Sequence, residues 1–183
     1  MSLFDDAPFG LPSFIQELPA ANRSSGPFGQ FVFWSPDRTD DEVLDHALGR
    51  QHFDTALTFA RAIQSNTFLA FVFGGICRTG QNTVGAMERG FVDALSVKAT
   101  YGCLPDGITG NEALELLSAC GTTEDEVRFG EVEARDYLTL ARETRCPEVV
   151  SALMESIVYR EMEHGSLSFM WTVCGAAYLG AMN

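Results

Sequence analysis

Residues 68 to 77 read FLAFVFGGIC, ten consecutive positions without a charge. A helix made from this run is apolar on every side, so it cannot lie on a surface and needs neighbours all around it. The run is too short to cross a bilayer, as is CGAAYLGAM at 174 to 182. Its neighbours must therefore come from the chain itself, and the remaining sequence offers them as helices.

From Thr39 the signals are helical. TDDEVLDHAL places Thr39 three residues ahead of Glu42, the spacing of a capping box, with acids in the first turn. Gly49 suggests a break, after which FDTALTFARAI sets Phe53, Ala56, Leu57, Ala60 and Ile63 on one stripe. The central apolar run continues into amphipathic sequence through Lys98, and the glycines of GGICRTGQNTVG read as places where helices approach closely. YGCLPDGITG is a loop and NEALELLSACG a short helix. Thr123 ahead of Glu126 repeats the capping box, and Pro147 opens a last long helix.

These segments predict an all-α fold: a single-domain bundle of about six helices over 37–183. Residues 1–36 hold most of the seven prolines, two PFG triplets and the break NRSSG. They predict an extended arm whose Phe9 and Phe28 are free to drape over the domain or enter a partner. Within the arm QFVFW has strand character but no evident strand to pair with. A chain of 183 residues with 46% hydrophobic content and 14 phenylalanines, nearly all in apolar runs, has enough material for one core.

Two short identities point to internal repetition. DEV occurs at 41 to 43 and at 125 to 127, and LTFAR at 57 to 61 returns as LTLAR at 138 to 142. They suggest two helical units, 39–100 and 122–182, related by a pseudo-twofold axis.

The charge narrows the functions. Twenty-five acids stand against 12 bases, a net charge of −13, and Lys98 is the sole lysine. Such a chain gains nothing from counterion release, so direct binding to nucleic acid or to an anionic membrane is disfavoured and basic protein surfaces are favoured. The acids concentrate in two clusters, Asp37, Asp40, Asp41, Glu42 and Asp45, then Glu124, Asp125 and Glu126. Read plainly these are solvated helix starts; read functionally they attract arginine-rich partners.

Five cysteines spaced 17 to 28 residues apart, without a C-x-x-C, resemble neither a zinc site nor a disulfide scaffold. They read as buried thiols of a reducing, cytoplasmic compartment, and MSLFDDAPFG has no signal-peptide pattern. No P-loop, dinucleotide-binding or G-x-S-x-G motif is present, and His46 and His52, beside the expected break, take surface or capping roles.

One stretch offers metal chemistry. In YREMEHGSLSF, Glu161 and His164 stand three apart and extend the apolar stripe of Val150, Leu153, Met154 and Ile157, provided the helix runs straight through Gly165. With Glu131 they form a candidate site for a divalent transition metal, the core of a metal-binding bundle enzyme. The duplicated half places Thr79 and Asn82 at the matching positions, which are not ligands of that kind. The leading expectation is therefore a non-enzymatic acidic protein, of the inhibitor, immunity or adaptor kind. It binds a basic protein surface, in one version as a nucleic-acid mimic, and a homodimer is a further expectation for an assembly component.

Overall fold

A computed structural model describes residues 10–23, 29–79, 84–103, 123–159 and 164–182, with the side chains of 159 and 164–166 excepted. Phe9, Phe28, Glu161 and the short helix expected at 111–121 lie outside the described residues. Six α-helices are found among those described: α1 (Glu42–Ala62), α2 (Phe68–Thr79), α3 (Ala86–Thr100), α4 (Glu124–Thr144), α5 (Glu148–Tyr159) and α6 (His164–Gly180). They form the all-α bundle, with α1, α3, α6 and α4 packed in succession so that α3 and α6 are central and α1 and α4 outermost. The apolar α2 lies mainly on α6, and α5 mainly on α3.

The first helix departs from its expected start. Asp41, not Thr39, is the N-cap, its carboxylate accepting from the amides of Val43 and Leu44. Thr39 lies two residues further out and donates both its amide and its hydroxyl to Asp45. An aspartate one turn into the helix therefore does the reaching back that Glu42 was expected to do. At α4 the capping box forms as read, with Thr123 and Glu126 bonded reciprocally.

Gly49 does not break α1, which runs through it without interruption to Ala62. It is buried against α3, where a Cβ would overlap the carbonyl oxygen of Met87; a Cβ on Gly90 would in turn overlap the carbonyl oxygen of His46. Two glycines, each three residues beyond the carbonyl that faces the other, let the helix backbones touch. Of the glycines in the 74–85 stretch, Gly75 admits the backbone of Phe33 and Trp34 and not another helix, and Gly74 has open space.

The arm proves to be part of the core. Phe31–Val32 pairs antiparallel with Gln16–Glu17, in the register Gln16 to Val32 and Glu17 to Phe31, so the strand finds its partner within the arm. Ser35 donates to the carbonyl of Phe14, and Phe14 and Trp34 are almost wholly buried. The Trp34 ring stands edge-on to Phe91 of α3 at 5.3 Å, and Phe91 meets Phe53 of α1 at 5.5 Å. The described part of the arm thus drapes over its own domain, one of the two courses expected for it, while Phe9 and Phe28 lie outside the described residues.

One buried charge ties the arm to α3. Glu88 is 1% exposed, and its Oε1 accepts from Trp34 Nε1 at 2.7 Å and from Arg38 Nη2 at 2.5 Å, while Oε2 accepts from Arg38 Nη1 at 3.2 Å. Such a carboxylate is tolerable only with its donors in place.

Two outcomes follow from this packing. Gly90→Ala gains about 1 kcal/mol in helix propensity, but the new methyl meets a backbone carbonyl that cannot swing away, so urea denaturation should show a net loss of about 2 kcal/mol. Arg38→Met should cost about 3 kcal/mol by stranding Glu88, and the loss should shrink when Glu88→Gln is added, a coupling read from a double-mutant cycle.

Candidate functional site

The acids of the two clusters divide by what they already hold. Asp45 is only 7% exposed, and the Thr39 amide and hydroxyl, at 2.9 and 2.8 Å, hold its carboxyl below the ordinary 3.8, the amide contributing most. It serves the interior and is withdrawn from the acidic surface on which the sequence placed it. Glu126 is spent on the amide and hydroxyl of Thr123, at 2.8 and 2.7 Å, and Asp41 caps α1. Asp37, Asp40, Glu42, Glu124 and Asp125 are exposed and enter no ion pair among the described residues. The two clusters sit at the starts of the outermost helices, with α3 and α6 between those helices.

The outward face of α4 carries what sequence reasoning missed. Its inner stripe is Val127, Gly130, Ala134, Leu138 and Ala141, all buried. Phe129 at 67% exposure, Val132 at 52% and Leu140 at 44% lie on the opposite side. At 100° per residue they share that side with Asp125, Asp136 and Glu143, all exposed. The available signal was the second stripe itself: Phe129 and Val132 cannot be inward in a helix whose inner positions are Val127, Ala134 and Leu138. Val43 and Leu44 are likewise exposed beside the acids that start α1.

A polar junction links α1, α3 and α5. His46 Nε2 lies 3.0 Å from Asp93 Oδ2, and Ser151 Oγ donates to Asp93 Oδ1 at 2.5 Å. Serine and imidazole both bond the carboxylate and not each other, so this is not the relay of a serine nucleophile, in which the imidazole must hold the hydroxyl. Nearby Glu155 has its carboxyl pushed above the ordinary 4.5, first by burial and then by the negative charge of Asp93, with Arg89 opposing. His52, expected at a helix break, is packed 5.0 Å from Phe14 and 5.9 Å from Trp34, and burial lowers its pKa. Packing, not titration, is its part.

Of the Glu-x-x-His pair, Glu161 and the His164 side chain lie outside what the structure describes, so the pair's geometry is not part of the described fold. Val150, Met154 and Ile157 form a buried stripe as expected, and Ser168 on α6 is buried, donating to the Glu126 carbonyl. Glu131 is half-buried on α4. Among the described residues no group of three or more His, Cys, Asp or Glu side chains is placed to hold a metal. The thiol of Cys77 is pushed up to about 12 by burial, and that of Cys174 is pushed up as well, so both are poor nucleophiles.

A shallow groove of about 300 Å³ between the arm and α1 is lined by Pro12, Thr55, Thr58 and Phe59 among others. The hydroxyls of Thr55 and Thr58 are turned onto their own helix, which leaves Gln51 and Asp54 as the polar side chains of its lining. No helix among the described residues is long and apolar enough to cross a membrane. Neither a family model, nor a curated protein, nor a solved structure matches the chain.

The Glu155 carboxyl supplies a pH test. Because its folded pKa lies above the unfolded one, the folded state binds more protons, and the carboxylate costs stability as pH rises from about 4.5 through the folded value. Glu155→Gln should therefore melt higher than the parent at neutral pH, with the difference vanishing below the unfolded pKa. An equal gain at every pH, measured by thermal denaturation across the range, would assign the effect to packing instead.

Proposed function

We propose that this protein is a non-enzymatic acidic interaction protein that binds a basic protein surface. The observation that supports this reading is the set of carboxylates left over once the fold has taken its own. Asp37, Asp40, Glu42, Glu124 and Asp125 face solvent at or near the starts of the two outer helices and make no ion pair among the described residues, in a chain of net charge −13. Carboxylates already matched internally have little field left to offer; these retain theirs. They add to a long-range negative potential that draws in arginine- or lysine-rich surfaces and repels phosphate backbones. Occupation of a nucleic-acid groove on such a partner is the sharper form of the same reading.

The test is kinetic. Association with an arginine-rich peptide, followed by stopped-flow fluorescence, should slow steeply as ionic strength rises. Neutralising Asp40, Glu42, Glu124 and Asp125 together as amides should lower the low-salt rate roughly tenfold without unfolding the chain. A rate indifferent to both salt and the four amides would remove the proposal.

A further inference from the structure

We infer that the outward face of α4 is a docking strip for a basic amphipathic helix of a partner protein. The inference rests on the acidic-interaction reading above and adds to it the place and the shape of the partner.

Three observations lead there. Phe129, Val132 and Leu140 expose large apolar side chains on one side of a single helix, at 67%, 52% and 44%. Isolated exposed hydrophobics are ordinary, but an aligned set on one face marks an interaction surface. The same side carries Asp125, Asp136 and Glu143, so apolar anchors and carboxylates are interleaved along it.

The third observation is the fate of the helix's cations. Seven acids and three arginines lie in α4, a balance of 3 − 7 = −4. One of the arginines, Arg142, is turned inward, donating Nε to the Thr100 carbonyl at 2.6 Å and Nη2 to the Gly102 carbonyl. Its charge is used to fasten α4 to the end of α3, which leaves Glu143 beside it on the open face. The strip thus carries three apolar anchors with Asp136 between them and Asp125 and Glu143 at its ends, and the exposed Arg128 lies along one edge.

The shape selects the occupant. A ridge of side chains on a helix is matched by the groove between ridges of another helix, whereas an extended peptide needs an open sheet edge. The sole sheet among the described residues is a pair of two-residue strands. From Asp125 to Glu143 the strip runs about 27 Å, the length of a helix of about 18 residues. A second copy of this chain offers the wrong charge, since pairing the face with itself sets Asp125, Asp136 and Glu143 against their own kind. A helix with leucines spaced to meet Phe129, Val132 and Leu140 and arginines on their flanks satisfies both components.

The experiment uses the full chain and two synthetic helical peptides of about 18 residues, with identical arginines but with leucine or alanine on the apolar face. Binding is read by fluorescence anisotropy, and the comparison variant is Phe129→Ser with Val132→Ser and Leu140→Ser. These exposed positions leave the core intact, which circular dichroism checks. The leucine peptide should bind at least roughly tenfold more tightly than the alanine peptide, and the triple variant should erase that difference while keeping a salt-sensitive remainder.

Equal binding of both peptides, lost on neutralising the helix-start acids, would overturn the docking strip and leave the acidic reading standing. Binding of neither peptide would overturn both. A dimer of the parent in sedimentation, dissolved by the triple variant, would give the strip to a second copy of the chain and also overturn the inference.

Discussion

Contact between the backbones of α1 and α3 at Gly49 and Gly90 is the constraint on which the rest of the molecule depends. With each glycine under the carbonyl of the other helix, no side chain separates the axes. Phe53 and Phe91 then meet just beyond the crossing, Trp34 seats on Phe91, and His46 comes within hydrogen-bond reach of Asp93. A larger residue at either position would part the helices and disturb all three together, because packed interiors transmit displacement instead of absorbing it. The arm's place in the core is in this sense a consequence of two missing side chains in the helices beneath it.

The polar groups divide into an inner and an outer population. The two buried carboxylates have their donors, Glu88 from Trp34 and Arg38 and Asp45 from Thr39, and the half-buried Asp93 holds Ser151 and His46. Outside, the carboxylates at the helix starts are balanced mainly by the helix dipoles and by water. The first population specifies the fold, since burial without partners is costly. The second costs the fold little and is the part of the charge a partner would meet.

Much of the architecture was legible. FLAFVFGGIC needed covering, and most of it is buried in α2 with Phe71, Gly74 and Cys77 partly exposed; Thr123 with Glu126 announced α4; Val150, Met154 and Ile157 marked the inner side of α5. The misreadings share a cause. Gly49 looked like a break because glycine is a poor helix former, yet here its lack of a side chain is what the neighbouring helix requires. Thr39 and Asp41 both satisfy capping chemistry, and which one caps is settled by where Asp45 can reach. The strand in the arm lacked a partner only because its partner, Gln16–Glu17, is two residues long and leaves almost no pattern.

By itself the sequence determined the class: periodicity and caps demand helices, an all-apolar segment demands covering, and an excess of 13 negative charges sets the sign of the molecule's field. These follow from composition and local spacing, which act whatever the chain does at long range. Only the tertiary structure decided that the arm's described residues belong to the core, that Asp45 faces inward, and that Phe129, Val132 and Leu140 face out. The physical reason is that burial is a property of pairs of elements. A phenylalanine in a helix carries the same driving force on either side, and the neighbouring helix on one side alone decides which face is covered.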